Sequence, residues 1–572
     1  MQRLGRRRIL AGLSGATAAS LLGPRIADAV TTHDPLRLRT DDVGENLAEP
    51  LAPGSHVKVF LPNLPYIYTS HAINAGLLRP APTARGWEHD LATELTQVDE
   101  RTYEATLREG VKFQDGSPFT ADSVVKNVEH FVKAPFTFTK LHKTLKGAEK
   151  LGSHRVRFHL SERYGQFVND LLWLHFYTSA YLDKHGWNGK AVCPNLAEPG
   201  PYGLGPFILR EGYMEGDRQT AVAELEANPH YWREDEPRVE RVTIFTELTS
   251  DEARARVEEK EGELDISPIP FHKKIRTMRA PHSKVVASKS NNNFAIHMNL
   301  HNGHPELQKR EVRVALNRAI HQANLLSFVY MNEGVTKPTT AAPHFPGVKT
   351  VVDELRPYSE TENPYDPDVQ AELREILDGL TLKVFTQETF EWLWRGIAYQ
   401  LSRVGVTLDI ETTTSEKNIF NQLFTTNKDN NTKDWDLLIW GMDDWYYNHP
   451  WSVFLVYRTT SVWSTIFRDE TLDGYIQQLF AEQVGTEAFN RVTDKIMRHV
   501  FDQGYMLFVP APNQVMGVNK EVSYLPYPMA TTPLWKVQVS KYHWSVREGG
   551  LPEERREPIR IVRRDADFME EE

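Results

Sequence analysis

The segment at residues 107–125, LREGVKFQDGSPFTADSVV, constrains this chain more than any other. Leu107, Val111 and Phe113 sit at strand spacing and close an apolar run. Asp115-Gly116 then makes a turn, because glycine tolerates positive φ and aspartate caps its own backbone. Thr120 stands where an N-cap is needed, with Asp122 and Ser123 in the first helical turn. Val124, Val128 and Phe131 follow at helical spacing and form one apolar face. The expected unit is a strand, a tight turn and a capped amphipathic helix.

At 572 residues the chain exceeds what one hydrophobic core supports, so two or three lobes are expected. The formal net charge of −11 argues against nucleic acid as the main partner and mildly favours cationic ligands. Cys193 is the single cysteine, which excludes an intramolecular disulfide. It lies in a Pro/Gly-rich stretch and is read as a structural or incidental thiol. No segment after the N-terminus has the continuous apolar length of a transmembrane helix.

The N-terminus carries an address. Arg6-Arg7-Arg8-Ile9-Leu10 is a twin-arginine pattern, followed by an apolar Ala/Gly/Leu/Ser stretch to Gly23. Ala27-Asp28-Ala29 offers small residues for cleavage before Val30. Residues 1–29 are therefore expected to be a twin-arginine signal peptide directing the protein to the periplasm. The absence of Cys at the cleavage region argues against a lipid anchor. Residues 30–53 are polar and read as a loose arm. The tail at 546–572 alternates charge blocks such as Glu553-Glu554-Arg555-Arg556 and is read as flexible.

Between these ends, strand-like and helix-like segments alternate. Val57-Lys58-Val59-Phe60 and residues 239–245 read as strands. Leu382-Lys383-Val384-Phe385, a helix through Trp392, Ile397, Tyr399 and Leu401, and a strand at 404–408 suggest a βαβ unit. This alternation indicates an α/β protein.

Five blocks then carry a family likeness. The first is the 107–125 segment. The second is Gly205-Pro206-Phe207-Ile208-Leu209 with Leu225-Glu226-Ala227-Asn228-Pro229-His230-Tyr231-Trp232. The third is Gly262-Glu263-Leu264-Asp265-Ile266. The fourth is Phe294-Ala295-Ile296-His297-Met298-Asn299 with Glu311-Val312-Arg313-Val314-Ala315-Leu316. The fifth runs from Asp436-Leu437-Leu438-Ile439-Trp440-Gly441 to Pro450. In this order, over about 54 to 540, they resemble the extracellular solute-binding proteins of family 5, which serve ABC importers of peptides and nickel.

The resemblance implies a periplasmic binding protein-like fold: two main lobes with discontinuous chain crossings and an additional inserted domain. Lobe I would combine 54–85, 201–297 and 506–545. The inserted domain would cover 86–200, and the other lobe 298–505. Crossings near 291–299 and 507–510 would form a hinge, so that a ligand touching both lobes favours the closed state. The implied function is the periplasmic substrate-binding component of an ABC importer. It would act as a monomer, capture a peptide or related small solute, and deliver it to an inner-membrane permease.

In peptide-binding members of the family an acid shortly after the glycine of the fifth block pairs with the ligand's ammonium. Here Asp443 and Asp444 follow Gly441. The spacing to Pro450 is one residue longer than the usual pattern, and His449-Pro450 stands where Asp-Pro is common. Asp444 is the first choice and Asp443 the second, for a charge-assisted hydrogen bond; a solvated Asp-Asp turn is the alternative. Of the aromatic residues nearby (Trp440, Trp445, Tyr446, Tyr447, Trp451 and Trp463), Trp445 and Tyr446 are the candidate ligand walls. In the run Asn291-Asn292-Asn293, Asn292 and Asn293 are candidate donors to a carboxylate or peptide carbonyl; an edge-strand turn is the alternative.

His297, His301 and His304 invite a metal reading, but Asn302-Gly303 marks a turn among them and no carboxylate or Cys completes a tight set. No metal or cofactor is assigned, although carriage of a nickel chelate, an opine or a sugar stays open within the same fold. Past the signal peptide there is no G-x-S-x-G elbow, Walker loop or C-x-x-C pair, so no catalytic residue is assigned. The rival class is an exported enzyme whose site is assembled from scattered residues.

Overall fold

In the computed structural model the described residues are 46–556 together with Val43 and Ile561–Arg563. They exclude 63–64, 84, 137–138, 189–197, 216–217, 290–293, 342–344, 346, 414–418, 420–421, 423–434, 442–456, 460, 462–463 and 467.

The chain opens with β1 (His56–Phe60), whose Val57 and Val59 are fully buried. It then builds a separate four-stranded sheet from β2 (Ala92–Asp99), β3 (Thr102–Leu107), β4 (Leu145–Gly152) and β5 (Arg155–Leu160), in the order β2-β3-β5-β4. Helix α1 (Ala121–Phe131) sits between β3 and β4. It forms where the sequence places it. Gly116 has φ +86°, and the Asp115 carboxylate accepts hydrogen bonds from the Ser117 N–H (2.9 Å) and hydroxyl (2.6 Å). The Thr120 N–H donates to the Ser123 hydroxyl at 3.3 Å, closing a capping box. Val124, Val128 and Phe131 are all fully buried.

The chain then returns to the β1 sheet through β6 (Phe207–Glu211), β7 (Val222–Ala227), β8 (Arg241–Phe245), β9 (Ile266–Pro268) and β10 (Ser283–Ser288). Next come β11 (Phe294–Met298), helices α2 (Arg310–Arg318) and α3 (Gln322–Tyr330), and β12 (Thr381–Gln387). Helix α4 (Glu391–Ser402), β13 (Thr407–Thr413), β14 (Leu437–Gly441), α5 (Glu470–Ala481) and α6 (Glu487–Gln503) follow. The chain closes with β15 (Met506–Leu507), β16 (Gln514–Asn519) and β17 (Ile561–Arg563).

Two larger sheets result. One has eight strands in the order β17-β10-β16-β9-β1-β8-β7-β6; the other has five in the order β13-β12-β14-β11-β15. The β12-α4-β13 unit is parallel over its full register, from Thr381 opposite Thr407 to Gln387 opposite Thr413. Helix α4 buries Leu393, Trp394, Ile397 and Leu401 against the sheet, whereas Trp392 and Tyr399 point outward.

The chain passes between the two larger sheets twice. It leaves β10 at Ser288 and enters β11 at Phe294; it leaves β15 at Leu507 and enters β16 at Gln514. The strands at the ends of the two passages are neighbours, because β10 pairs with β16 (Ser288 opposite Gln514) and β11 pairs with β15 (Ile296 opposite Leu507). Residues 294–297 and Met506–Leu507, grouped with lobe I on sequence grounds, are hydrogen-bonded into the five-stranded sheet. Their buried apolar residues Ile296, Met506 and Leu507 belong to its core. The range 546–572, read from its charge as a flexible tail, contributes β17 to the edge of the eight-stranded sheet, with Ile561 opposite Val285. In the same range the Arg555 guanidinium binds the buried Glu521 carboxylate at 2.8 Å. Charge blocks alone did not reveal these long-range partners.

The small sheet's domain is tied to the eight-stranded sheet's domain by buried polar joints. Arg233 reaches Asp90 at 3.2 Å. The Gln114 amide donates to the carbonyls of Ile73 (2.9 Å) and Phe207 (2.7 Å) and accepts from the Gly203 N–H.

Candidate functional site

The strand register decides where a site can lie. β11 and β14 are antiparallel, with Phe294 opposite Gly441 and Met298 opposite Leu437. The start of β11 and the end of β14 therefore share one edge. Asn292 and Asn293 immediately precede Phe294, and Asp443 follows Gly441 by two residues. All six sequence candidates, Asp443, Asp444, Trp445, Tyr446, Asn292 and Asn293, lie outside the described residues. What the structure shows is that the strands to which they attach bring both segments out at the same end of one pair.

Three further features meet at that end. β12 is parallel to β14, with Val384 opposite Leu437, so its carboxyl end points the same way. The Phe390 ring just beyond β12 packs edge-on against Phe294, centroids 4.8 Å apart. β15 leaves for the second passage at Leu507, beside Ile296. The carboxyl ends of parallel strands beside a change of chain direction are where open α/β sheets bind ligands. Phe390 and the end of β12 belong to this edge, although sequence reading did not single them out. Their only signal was the βαβ pattern, whose first strand carboxyl end is by construction a site edge.

The base of β14 is fixed by two side chains. The Asp436 carboxylate accepts from the His304 N–H (2.5 Å) and the Lys383 N–H (2.7 Å). The Asn299 amide donates to the Trp435 carbonyl at 3.0 Å, and its oxygen accepts from the His301 and Asn302 N–H groups. His301 and His304 lend backbone N–H groups to this joint. His297 is fully buried within β11, and burial drives its pKa down to about 3, so it is neutral at ordinary pH. The His304 ring accepts from the Glu306 N–H at 3.2 Å and starts a short helix. Among the described residues, no group of three or more His, Cys, Asp or Glu is arranged to hold a metal ion.

The second passage is clamped from α2 and α3. The Asn317 amide donates to the Met506 carbonyl (2.8 Å) and its oxygen accepts from the Phe508 N–H (2.8 Å). The Gln322 amide donates to the carbonyls of Lys337 (2.9 Å) and Phe508 (3.3 Å). Lys337 is buried beside this clamp, its ammonium donating to the Thr339 carbonyl at 2.5 Å; burial lowers its pKa to about 7. Arg313, from the fourth sequence block, donates to the carbonyls of Leu307, Gln308 and Gln503 and so locks the end of α6 to the start of α2. No helix among the described residues is long and apolar enough to cross a membrane.

A family model for bacterial extracellular solute-binding proteins, family 5 Middle, matches residues 86–464. The chain belongs to that family. Among its relatives is the glutathione-binding protein GsiB of Salmonella typhimurium, 27% identical over 325 residues, which are 54% of this chain and 57% of that protein. The solute-binding protein thus spans little more than half the length of the curated relatives it matches. Two solved structures share its fold. NikA from Brucella suis in complex with Fe(III)-EDTA superposes with a TM-score of 0.70 at 17% identity, covering 85% of this chain and 100% of NikA. The oligopeptide-binding protein AppA from Bacillus subtilis in complex with a nonapeptide gives 0.68 at 18%, covering 86% and 100%. At these identities the likeness concerns the fold.

Proposed function

We propose that this protein is the periplasmic substrate-binding component of an ABC importer. It captures a peptide or related small solute bearing an ammonium group between its two main lobes and delivers it to the inner-membrane permease. The observation that carries this reading is the shared edge: the start of β11, the ends of β12 and β14, and both chain passages meet there. A solute bound at that edge touches the elements that join the lobes, so its binding energy favours one lobe arrangement over another. Family membership and the glutathione- and peptide-binding relatives support the ligand class.

In this reading Asp444, with Asp443 as second choice, accepts the ligand ammonium. Trp445 and Tyr446 supply apolar walls, and Asn292 or Asn293 donates to a carboxylate or carbonyl. The twin-arginine segment supports export in the folded state, with the mature monomer beginning at Val30. Mass spectrometry of small molecules released from the denatured, freshly purified protein tests the ligand class. A stoichiometric peptide or peptide-like amine supports the reading. A sugar, an opine or a metal chelate in its place would redirect the ligand assignment while leaving the carrier role intact.

A further inference from the structure

The small-sheet domain touches the five-stranded-sheet lobe at the carboxyl end of α5. The Gln166 side chain, excluded from solvent, donates its amide to the carbonyls of Leu479 (3.1 Å) and Glu482 (3.0 Å). The Gly165 N–H donates to the Phe480 carbonyl at 3.2 Å. The last carbonyls of a helix have no partner within it, and here a loop from another domain satisfies them. The approach leaves no room for a side chain: a Cβ on Gly165 would stand 2.0 Å from the Glu482 carbonyl oxygen. The φ of Gly165 is not positive, so contact rather than conformation demands glycine there. Around this point Lys140 lies 4.6 Å over the Phe480 ring, and Arg163 faces Glu482 at 3.8 Å.

The connectivity gives the contact its meaning. The small-sheet domain is anchored to the eight-stranded-sheet domain by the Arg233–Asp90 pair and by the Gln114 amide on the Ile73 and Phe207 carbonyls. The five-stranded lobe is joined to that same domain by the two chain passages. The contact of Gly165 and Gln166 with α5 therefore closes a ring: large sheet, passages, five-stranded lobe, α5, small-sheet domain and back. Movement of the five-stranded lobe relative to the small-sheet domain has to make or break this contact.

We infer that the 163–166 loop and the carboxyl end of α5 form a latch between the inserted domain and the five-stranded-sheet lobe, holding the two in the ligand-free arrangement until a bound solute draws the lobe away. Its consequence for ligand capture rests on the clamp reading above; the contact itself does not. The latch is built for reversibility. Its hydrogen bonds use backbone carbonyls that water can take over on opening, and its apolar part is largely Phe480, 9% exposed.

The test is a distance measurement on the mature chain with no ligand added. In a Cys193→Ser background, spin labels are placed at exposed positions on either side of the latch, Lys143→Cys and Gln478→Cys, and read by double electron–electron resonance. The parent should give a short, narrow distance distribution. Gly165→Val should shift it to longer distances, and Gln166→Ala should broaden it in the same direction. Near-ultraviolet circular dichroism shows whether each variant is folded, and if Gly165→Val is not, Gln166→Ala alone decides. Distributions that superimpose on the parent in the folded variants would overturn the latch. Because no solute enters the experiment, that failure is distinct from a failure to bind peptide.

Discussion

Oδ1 of Asp265 lies 3.1 Å from Nε2 of His543, and both side chains are completely excluded from solvent. The same oxygen accepts from the Asn519 amide (2.9 Å) and the Trp544 indole (2.9 Å), and Oδ2 accepts from the Lys58 N–H (2.9 Å). Burial opposes the charge on Asp265, but the attraction of His543 and these donors outweigh it and hold the carboxyl below its ordinary range. One carboxylate thus ties β1, β9, β16 and the segment after β16 into one joint.

Asp265→Asn would place an amide N–H₂ where donors already point and strand them in the core. Removing one partner from a buried ionic cluster costs roughly 3–5 kcal/mol. Urea denaturation should therefore show a clearly lowered midpoint; a change of less than about 1 kcal/mol would mean that the joint carries little stability.

Stability should fall on mild acidification. Burial lowers the pKa of His175 and of His297 to about 3, whereas unfolded histidine titrates near 6.5. Between those values the unfolded chain binds more protons, so stability is lost as pH drops from about 6.5 towards 3, at up to about 1.4 kcal/mol per pH unit per group. The depressed Asp265 adds its own loss at the acid end of that window. Denaturation midpoints from pH 7.5 to 4 should decline, and His175→Gln should flatten the decline by about one proton's worth. An unchanged slope would show that His175 is not neutral and buried in solution.

Asn317 holds both sides of β15 at the second passage. Asn317→Ala strands the Met506 carbonyl and the Phe508 N–H in the interior, at about 1–3 kcal/mol per unsatisfied group. Hydrogen exchange should accelerate selectively at 506–509. Exchange that rises evenly over the whole chain would place the effect in global stability instead of the passage.

How far the sequence could be read depends on the distance to each partner. The Asp115-Gly116 turn and the helix start at Thr120 depend on neighbours a few residues away and stand as expected; the β12-α4-β13 unit also forms, with its second strand at Thr407–Thr413 instead of 404–408. The blocks that carry the family likeness prove to be joints, such as Arg313 on Gln503 and Asp265 on His543, whose partners lie 190 and 278 residues distant. A string of residue types shows that such joints exist without showing what they meet. Gln166 illustrates the limit, since nothing around it in the sequence indicates that it caps a helix 313 residues later. The segments beyond Gly441 and before Phe294, where the ligand contacts are proposed, lie outside the described residues.

The ligand anchor can be tested by comparing neighbours. If the solute carries an ammonium, Asp444→Asn should weaken binding by roughly 2–5 kcal/mol, since a desolvated charge loses its partner. Asp443→Asn should do much less, because Asp444 and not Asp443 is the proposed anchor. Calorimetry of both variants with the same solute decides. Equal affinity for Asp444→Asn and the parent would move the anchor elsewhere, and indifference of both sites would favour an opine, sugar or metal-chelate ligand.

A solute bound at the shared edge of β11, β12 and β14 should change the arrangement of the two lobes that the chain passages join. Small-angle X-ray scattering of the mature chain, with and without a saturating di- or tripeptide identified by thermal shift, tests it most directly. The saturated sample should show a smaller radius of gyration together with a raised melting temperature, because a ligand that binds only the folded state stabilises it. Scattering curves that superimpose at full saturation would contradict it.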